Sequence, residues 1–145
     1  MKASERQKGL TSVEFAIVGV FLFVIVFAIL EFGRVLFTLN VLQEGARRGA
    51  RVAAVSPRDS PAIAQAALFV GESLEGLPML DGATVDIRYL DRDAGPPEDF
   101  DHIQYVRVSV TAPAIKLRIP LVSPTITPPV YSSTLPRESL GVVPD

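Results

Sequence analysis

The chain has no cysteine among its 145 residues. That excludes disulfides, zinc–thiolate sites and cysteine nucleophiles. One histidine, His102, is too few for a histidine-based metal cluster and an unpromising start for a Ser-His-Asp triad. Neither sign of charge dominates: 14 Lys and Arg against 16 Asp and Glu leave a net −2. No basic tract stands outside a helix face, so nucleic acid is not expected as a partner. There is no glycine-rich phosphate loop, no internal repeat, and no glycine elbow around Ser132, Ser133 or Thr134. No catalytic residue, metal or cofactor is expected.

What the chain does have is one long apolar run. Residues 13–30 carry a single charge, Glu14. Eighteen residues at about 1.5 Å each are long enough to cross the hydrocarbon of a bilayer, with little room for tilt. A secretory signal has a shorter apolar core followed by a small-residue cleavage site. Here the run continues into Glu31-Phe32-Gly33-Arg34, so the segment is expected to be retained. Charge alone leaves orientation open, because Lys2, Arg6 and Lys8 precede the span and Arg34, Arg47, Arg48 and Arg51 follow it. The short N-terminus favours leaving residues 1–9 in the cytoplasm.

Glu14 is the anomaly in this run. A carboxylate at mid-bilayer costs about 2.5–3.5 kcal/mol, less near the interface, and such a residue calls for a partner. Its helical neighbours are Leu10, Thr11, Ile17 and Val18, and none is cationic. The plain alternative is an interfacial carboxylate that stays wet. Glu31 and Arg34, three apart, can pair locally and mark the outer end of the span.

Helical spacing persists beyond the run. Phe32, Val35, Leu36, Leu39, Leu42, Ala46, Ala50 and Ala53 form one stripe, opposite Arg34, Asn40, Glu44, Arg47, Arg48 and Arg51. One helix is expected from about Thr11 to Val55, ended by Ser56-Pro57. Gly45 and Gly49, with Ala46, Ala50 and Ala54, recur every four residues and allow another backbone to come close. The simpler reading is a crowded contact with the chain's own head; the other is a contact with a second subunit.

Roughly 90 residues remain, enough for one modest core. Ser60-Pro61 starts a helix, with Ile63, Ala67, Val70 and Leu74 on one face and Gly76 as its stop. Strands are expected at 83–90, 102–111 and 116–119, and a short edge strand near 130–135. Seven of the twelve prolines lie from Pro113 onward and argue against a central strand there. The acidic stretch Asp91, Asp93, Glu98, Asp99 and Asp101 does not have the spacing of a calcium loop and reads as solvated. The fold class is α+β: a long helix, one short helix and a small antiparallel sheet.

The pattern Gly9-Leu10-x-x-x-Glu14-Phe15 resembles the class III signal of type IV prepilins. More narrowly, Val13-Glu14-Phe15-Ala16, Glu31-Phe32-Gly33-Arg34 and Gly45-Ala46-Arg47-Arg48-Gly49-Ala50-Arg51 are similar to the TadE-like pseudopilins of the tight-adherence (Flp pilus) machinery. The resemblance spans about Gly9 to Ala54 and implies the following. A prepilin peptidase cuts between Gly9 and Leu10, removing a leader of residues 1–9. The protein sits in the bacterial inner membrane, N-terminus cytoplasmic and head (56–145) extracytoplasmic. Its partners are other pilins or pseudopilins and membrane lipids. The new α-amino group at Leu10, with a pKa of about 7.7–8, lies near Glu14 of its own chain and of an offset neighbour. Glu14 and Phe15 then set the register of assembly. A related secretion or uptake pseudopilus is a nearby alternative, and a membrane-anchored periplasmic binding module that never polymerises is a distinct one.

Overall fold

The computed structural model describes residues 3–71 and 80–137, with residues 3–10 as backbone only. Helix α1 runs Ala3–Val55 without a break. It starts before the expected Thr11, because Ala, Glu, Arg, Gln and Lys at residues 3–8 are good helix formers. It ends where expected, with the Ser56 amide donating to the Val52 carbonyl (2.9 Å) before Pro57. The chain divides into two compact units: Met1–Leu36 with Lys116–Ile126, and Phe37–Ile115 with Thr127–Asp145.

The first unit contains the apolar part of α1 and, from Lys116 onward, a two-stranded hairpin, β3 (Ile115–Lys116) paired with β4 (Thr125–Ile126). Thirteen large apolar side chains between residues 13 and 30 are exposed. The hairpin is closed by the Leu117 amide on the Pro124 carbonyl (2.9 Å) and by an Ile119–Val122 bridge. Its tip has a Val122 amide on the Ile119 carbonyl, Pro120 second and Leu121 third at φ 71°. That is the pattern of a type II turn, with leucine where glycine is favoured. The sequence suggested a strand at 116–119 within the head sheet. Instead it forms half of a separate hairpin, because Pro120 and Pro124 lack the amides that a wider sheet needs.

The second unit is the α+β head. Strands β1 (Thr84–Leu90), β2 (Tyr105–Thr111) and β5 (Tyr131–Pro136) form an antiparallel sheet in the order β1-β2-β5. Val108 lies opposite Ile87 on one side and Ser133 on the other. Alternation in β2 sends Val106, Val108 and Val110 inward, all buried. They join a core with Leu42, Ala46, Ala50, Ala53 and Ala54 of α1 and Ile63 and Ala67 of the short helix α2 (Pro61–Ala67). The edge strand near the C-terminus is where the proline content allows it, ending at Pro136.

Helix α2 is Pro61–Ala67, capped by the Ser60 hydroxyl accepting from the Ala62 amide. It is shorter than the spacing of Ile63, Ala67, Val70 and Leu74 suggests. Phe69 takes a left-handed conformation (φ 58°) and buries its ring, leaving Val70 exposed. The larger apolar group takes the buried position, and the chain reverses to allow it. Leu74 and Gly76 lie outside the described residues. His102 belongs to a 3-10 turn, Phe100–His102, rather than to the strand, which begins at Tyr105.

Small residues set how closely α1 approaches the sheet. A Cβ at Gly45 would run into the Ala67 carbonyl oxygen, and one at Gly49 would lie 2.9 Å from both Ala67 Cβ and Val108 Cγ1. A Cβ at Gly33 meets nothing. Gly45→Ala therefore destabilises the head by about 1–3 kcal/mol through overpacking. Gly33→Ala is neutral or stabilising by up to about 1 kcal/mol from helix propensity. Chemical unfolding of the full chain in detergent, followed by circular dichroism, separates the two.

Candidate assembly surface

Of the N-terminal residues singled out by the sequence, Glu14 and Phe15 lie on the exposed part of α1. Gly9 and Leu10 are helical in backbone; their side chains lie outside the described residues. Glu14 is exposed and has no ion-pair partner among the described residues. Phe15 beside it is 78% exposed, the highest of the large apolar residues in the helix. An aromatic ring and a carboxylate thus stand next to each other on a part of α1 that the described residues leave uncovered.

Ala46 and Ala50 are buried, and Gly45 and Gly49 face Ala67, Phe69 and Val108 of the same chain. Arg48 stacks over the Phe69 ring at 4.8 Å and pairs with Glu44 at 3.4 Å. The latter is a part-exposed i,i+4 pair worth a few tenths of a kcal/mol. Elsewhere in the head, the Asp59 amide donates to the Tyr89 hydroxyl at 2.7 Å, with the Arg58 guanidinium 5.1 Å above the ring. Burial pushes the Tyr89 phenol above its ordinary pKa.

Glu31 and Arg34 pair as their spacing suggests, at 2.7 Å. The structure adds a role that the sequence did not reveal. The Arg118 amide donates to Glu31 Oε2 at 3.0 Å, and Arg34 donates to the Lys116 carbonyl at 2.8 Å. The ion pair is thus a clasp that holds the β3–β4 hairpin on α1. The only legible hint was the alternation Lys116-Leu117-Arg118-Ile119; the groups that α1 grips are backbone, which no side-chain pattern announces.

The acidic loop lines an open cleft of about 390 Å³ with Asp91, Arg92, Asp93, Glu98, Asp101, His102 and Gln104. Asp91 is occupied by its own loop, accepting from the amides of Asp93 (2.9 Å) and Gly95 (2.7 Å). No cluster suited to a metal ion forms among the described residues. The Thr134 hydroxyl accepts from Arg107 at 3.0 Å on the exposed face of the sheet.

Among the described residues, one helix is long and apolar enough to cross a membrane, and it leads into an α+β head. Residues 9–51, a little under a third of the chain, match the TadE-like protein family. Over these residues the chain is similar to that family, and the likeness points to the tight-adherence pilus system. No curated protein and no solved structure matches it.

The clasp carries a pH dependence. The Arg34 side chain and then the Arg118 amide hold the Glu31 carboxyl below the usual carboxylate range. A lowered folded value gives stability that is complete above the unfolded pKa of about 4.3 and is lost as pH falls through the folded one. In NMR, the Arg118 amide should shift with a midpoint below about 4.3, and Glu31→Gln should abolish that titration.

Proposed function

We propose that this chain is a minor pseudopilin of a tight-adherence pilus or a related secretion machine, working by helix packing rather than catalysis. The observation that carries the reading is Glu14, without an ion-pair partner among the described residues, on an apolar stretch of helix that those residues leave uncovered. The match over residues 9–51 includes Gly9, Leu10, Glu14 and Phe15, the residues this role needs.

In this reading residues 1–9 remain in the cytoplasm until a prepilin peptidase cuts between Gly9 and Leu10. The head lies on the other side of the inner membrane. The α-amino group freed at Leu10 pairs with Glu14 of an axially offset neighbour. The pair offsets the cost of desolvating the carboxylate and fixes the register between subunits. Setting register is the best-attested use of a lone buried polar pair. The remaining apolar side chains supply undirected packing, against lipid before assembly and against other helices after it.

Mass spectrometry of the protein extracted from its native membrane tests the processing step. A mature chain beginning at Leu10 is expected; a chain retaining residues 1–9 supports a tethered binding module instead. Glu14→Ala tests the pairing. Insertion is retained, since alanine is better tolerated in lipid than a carboxylate. Breaking a buried pair costs about 3–5 kcal/mol, so co-purification with partner pilins falls by well over tenfold.

A further inference from the structure

The β3–β4 hairpin carries features that neither the head nor the proposed assembly role uses. Its tip holds Leu121, which is 88% exposed, and Val122, also exposed. Leu121 is the most exposed large apolar side chain described and sits at φ 71°. A bulky residue in that region is a genuine outlier, and such outliers point to function. The segment from 115 to 126 contains no acidic residue, and its Lys116 and Arg118 are exposed.

The clasp sets the direction of the hairpin. Lys116 is held at Arg34 and Arg118 at Glu31, so the strand runs along α1 toward the helix N-terminus. Two further strand residues carry the turn roughly one helical turn beyond Glu31, level with about residues 27–28. A covered stripe on α1 continues the same way. Val35 is buried, and Glu31, Ala28 and Val24 are half-buried among mostly exposed neighbours. The apolar tip is thus placed beside the outer end of the apolar run, with two cations just above it.

We propose that the 115–126 hairpin is a second membrane contact, seating Leu121 and Val122 at the hydrocarbon edge and Lys116 and Arg118 among anionic phospholipid headgroups. The inference rests on the reading of residues 13–30 as a membrane span. Continuity with that span selects lipid over other occupants. The cations match the negative surface of a bilayer rich in anionic lipid, and the leucine and valine match its acyl boundary. The clasp makes this contact rigid: through Glu31 and Arg34 it fixes the rotation of α1 about its axis relative to the membrane surface.

The chain has no tryptophan, so Leu121→Trp gives a single reporter. The full chain is reconstituted in vesicles of equal parts phosphatidylcholine and phosphatidylglycerol, with and without brominated phosphatidylcholine as quencher. Phe21→Trp in the span and Tyr105→Trp in the head are the references, and Val122→Trp repeats the reading without occupying the left-handed turn position. Leu121→Trp is expected to be blue-shifted and to lose emission to brominated lipid, more than Tyr105→Trp and less than Phe21→Trp. Adding Lys116→Glu and Arg118→Glu should reduce that loss. Reporters at both 121 and 122 quenched no more than Tyr105→Trp, with Phe21→Trp quenched, overturn the proposal alone. No quenching of Phe21→Trp overturns the span reading and the proposal with it. A blue shift that resists lipid quencher and grows with the protein-to-lipid ratio places a second copy on the tip and also overturns the proposal.

Discussion

Thirteen large apolar side chains between residues 13 and 30 of α1 find no cover within the described chain. Burying one such side chain is worth about 1.5–3 kcal/mol, so leaving them all in water would forfeit on the order of 20–40 kcal/mol. That exceeds the roughly 5–15 kcal/mol net stability of a typical domain. The helix therefore belongs in hydrocarbon or among other apolar helices. Every other feature is arranged around that requirement. The charges of the first unit gather at the two ends of the run, and the head carries a separate core.

The same helix meets a different demand in its second half. There it must lie against a sheet whose inward face is a row of valines. Large residues on both surfaces would hold the two apart, so α1 presents Ala46, Ala50, Ala53 and Ala54 with Gly45 and Gly49 between them. Leu42 supplies the bulk at the margin of this contact. The four-residue recurrence of small side chains is often associated with helix pairs in membranes. Here it has a full explanation inside one chain, in the carbonyl of Ala67 and the side chain of Val108.

Much of the fold was legible because its determinants are local. Pro57 ends α1, Ser60 caps α2, and the alternation from Tyr105 to Thr111 makes the central strand. Proline spacing confines the C-terminal strand to an edge. The extent of α2 was misjudged because Ile63, Ala67 and Val70 keep helical spacing, while Phe69 gains more by burial than Val70 and reverses the chain. The separate hairpin was illegible for another reason. Its anchors are an amide and a carbonyl more than eighty residues from the side chains that bind them. Such a contact leaves no periodicity. Of the candidate site, the sequence marks Glu14 as anomalous and the resemblance adds Phe15, and both are exposed on α1.

Glu14 and Glu31 are one residue type in two different surroundings. Both are carboxylates on α1, near opposite ends of the apolar run. Glu31 has a cation one helical turn away and an amide from a distant loop, so its charge is matched within its own chain. Glu14 has neither among the described residues, and its neighbours three and four positions away are uncharged. A satisfied carboxylate organises its own subunit: Glu31 joins a hairpin to a helix. An unsatisfied one in apolar surroundings raises the energy of the isolated subunit and lowers it when a cation arrives. In the assembly role proposed for Glu14, that difference is the driving term. The undirected attraction of the apolar surface lets two helices slide past one another, whereas one fixed charge gives a single axial offset the lowest energy.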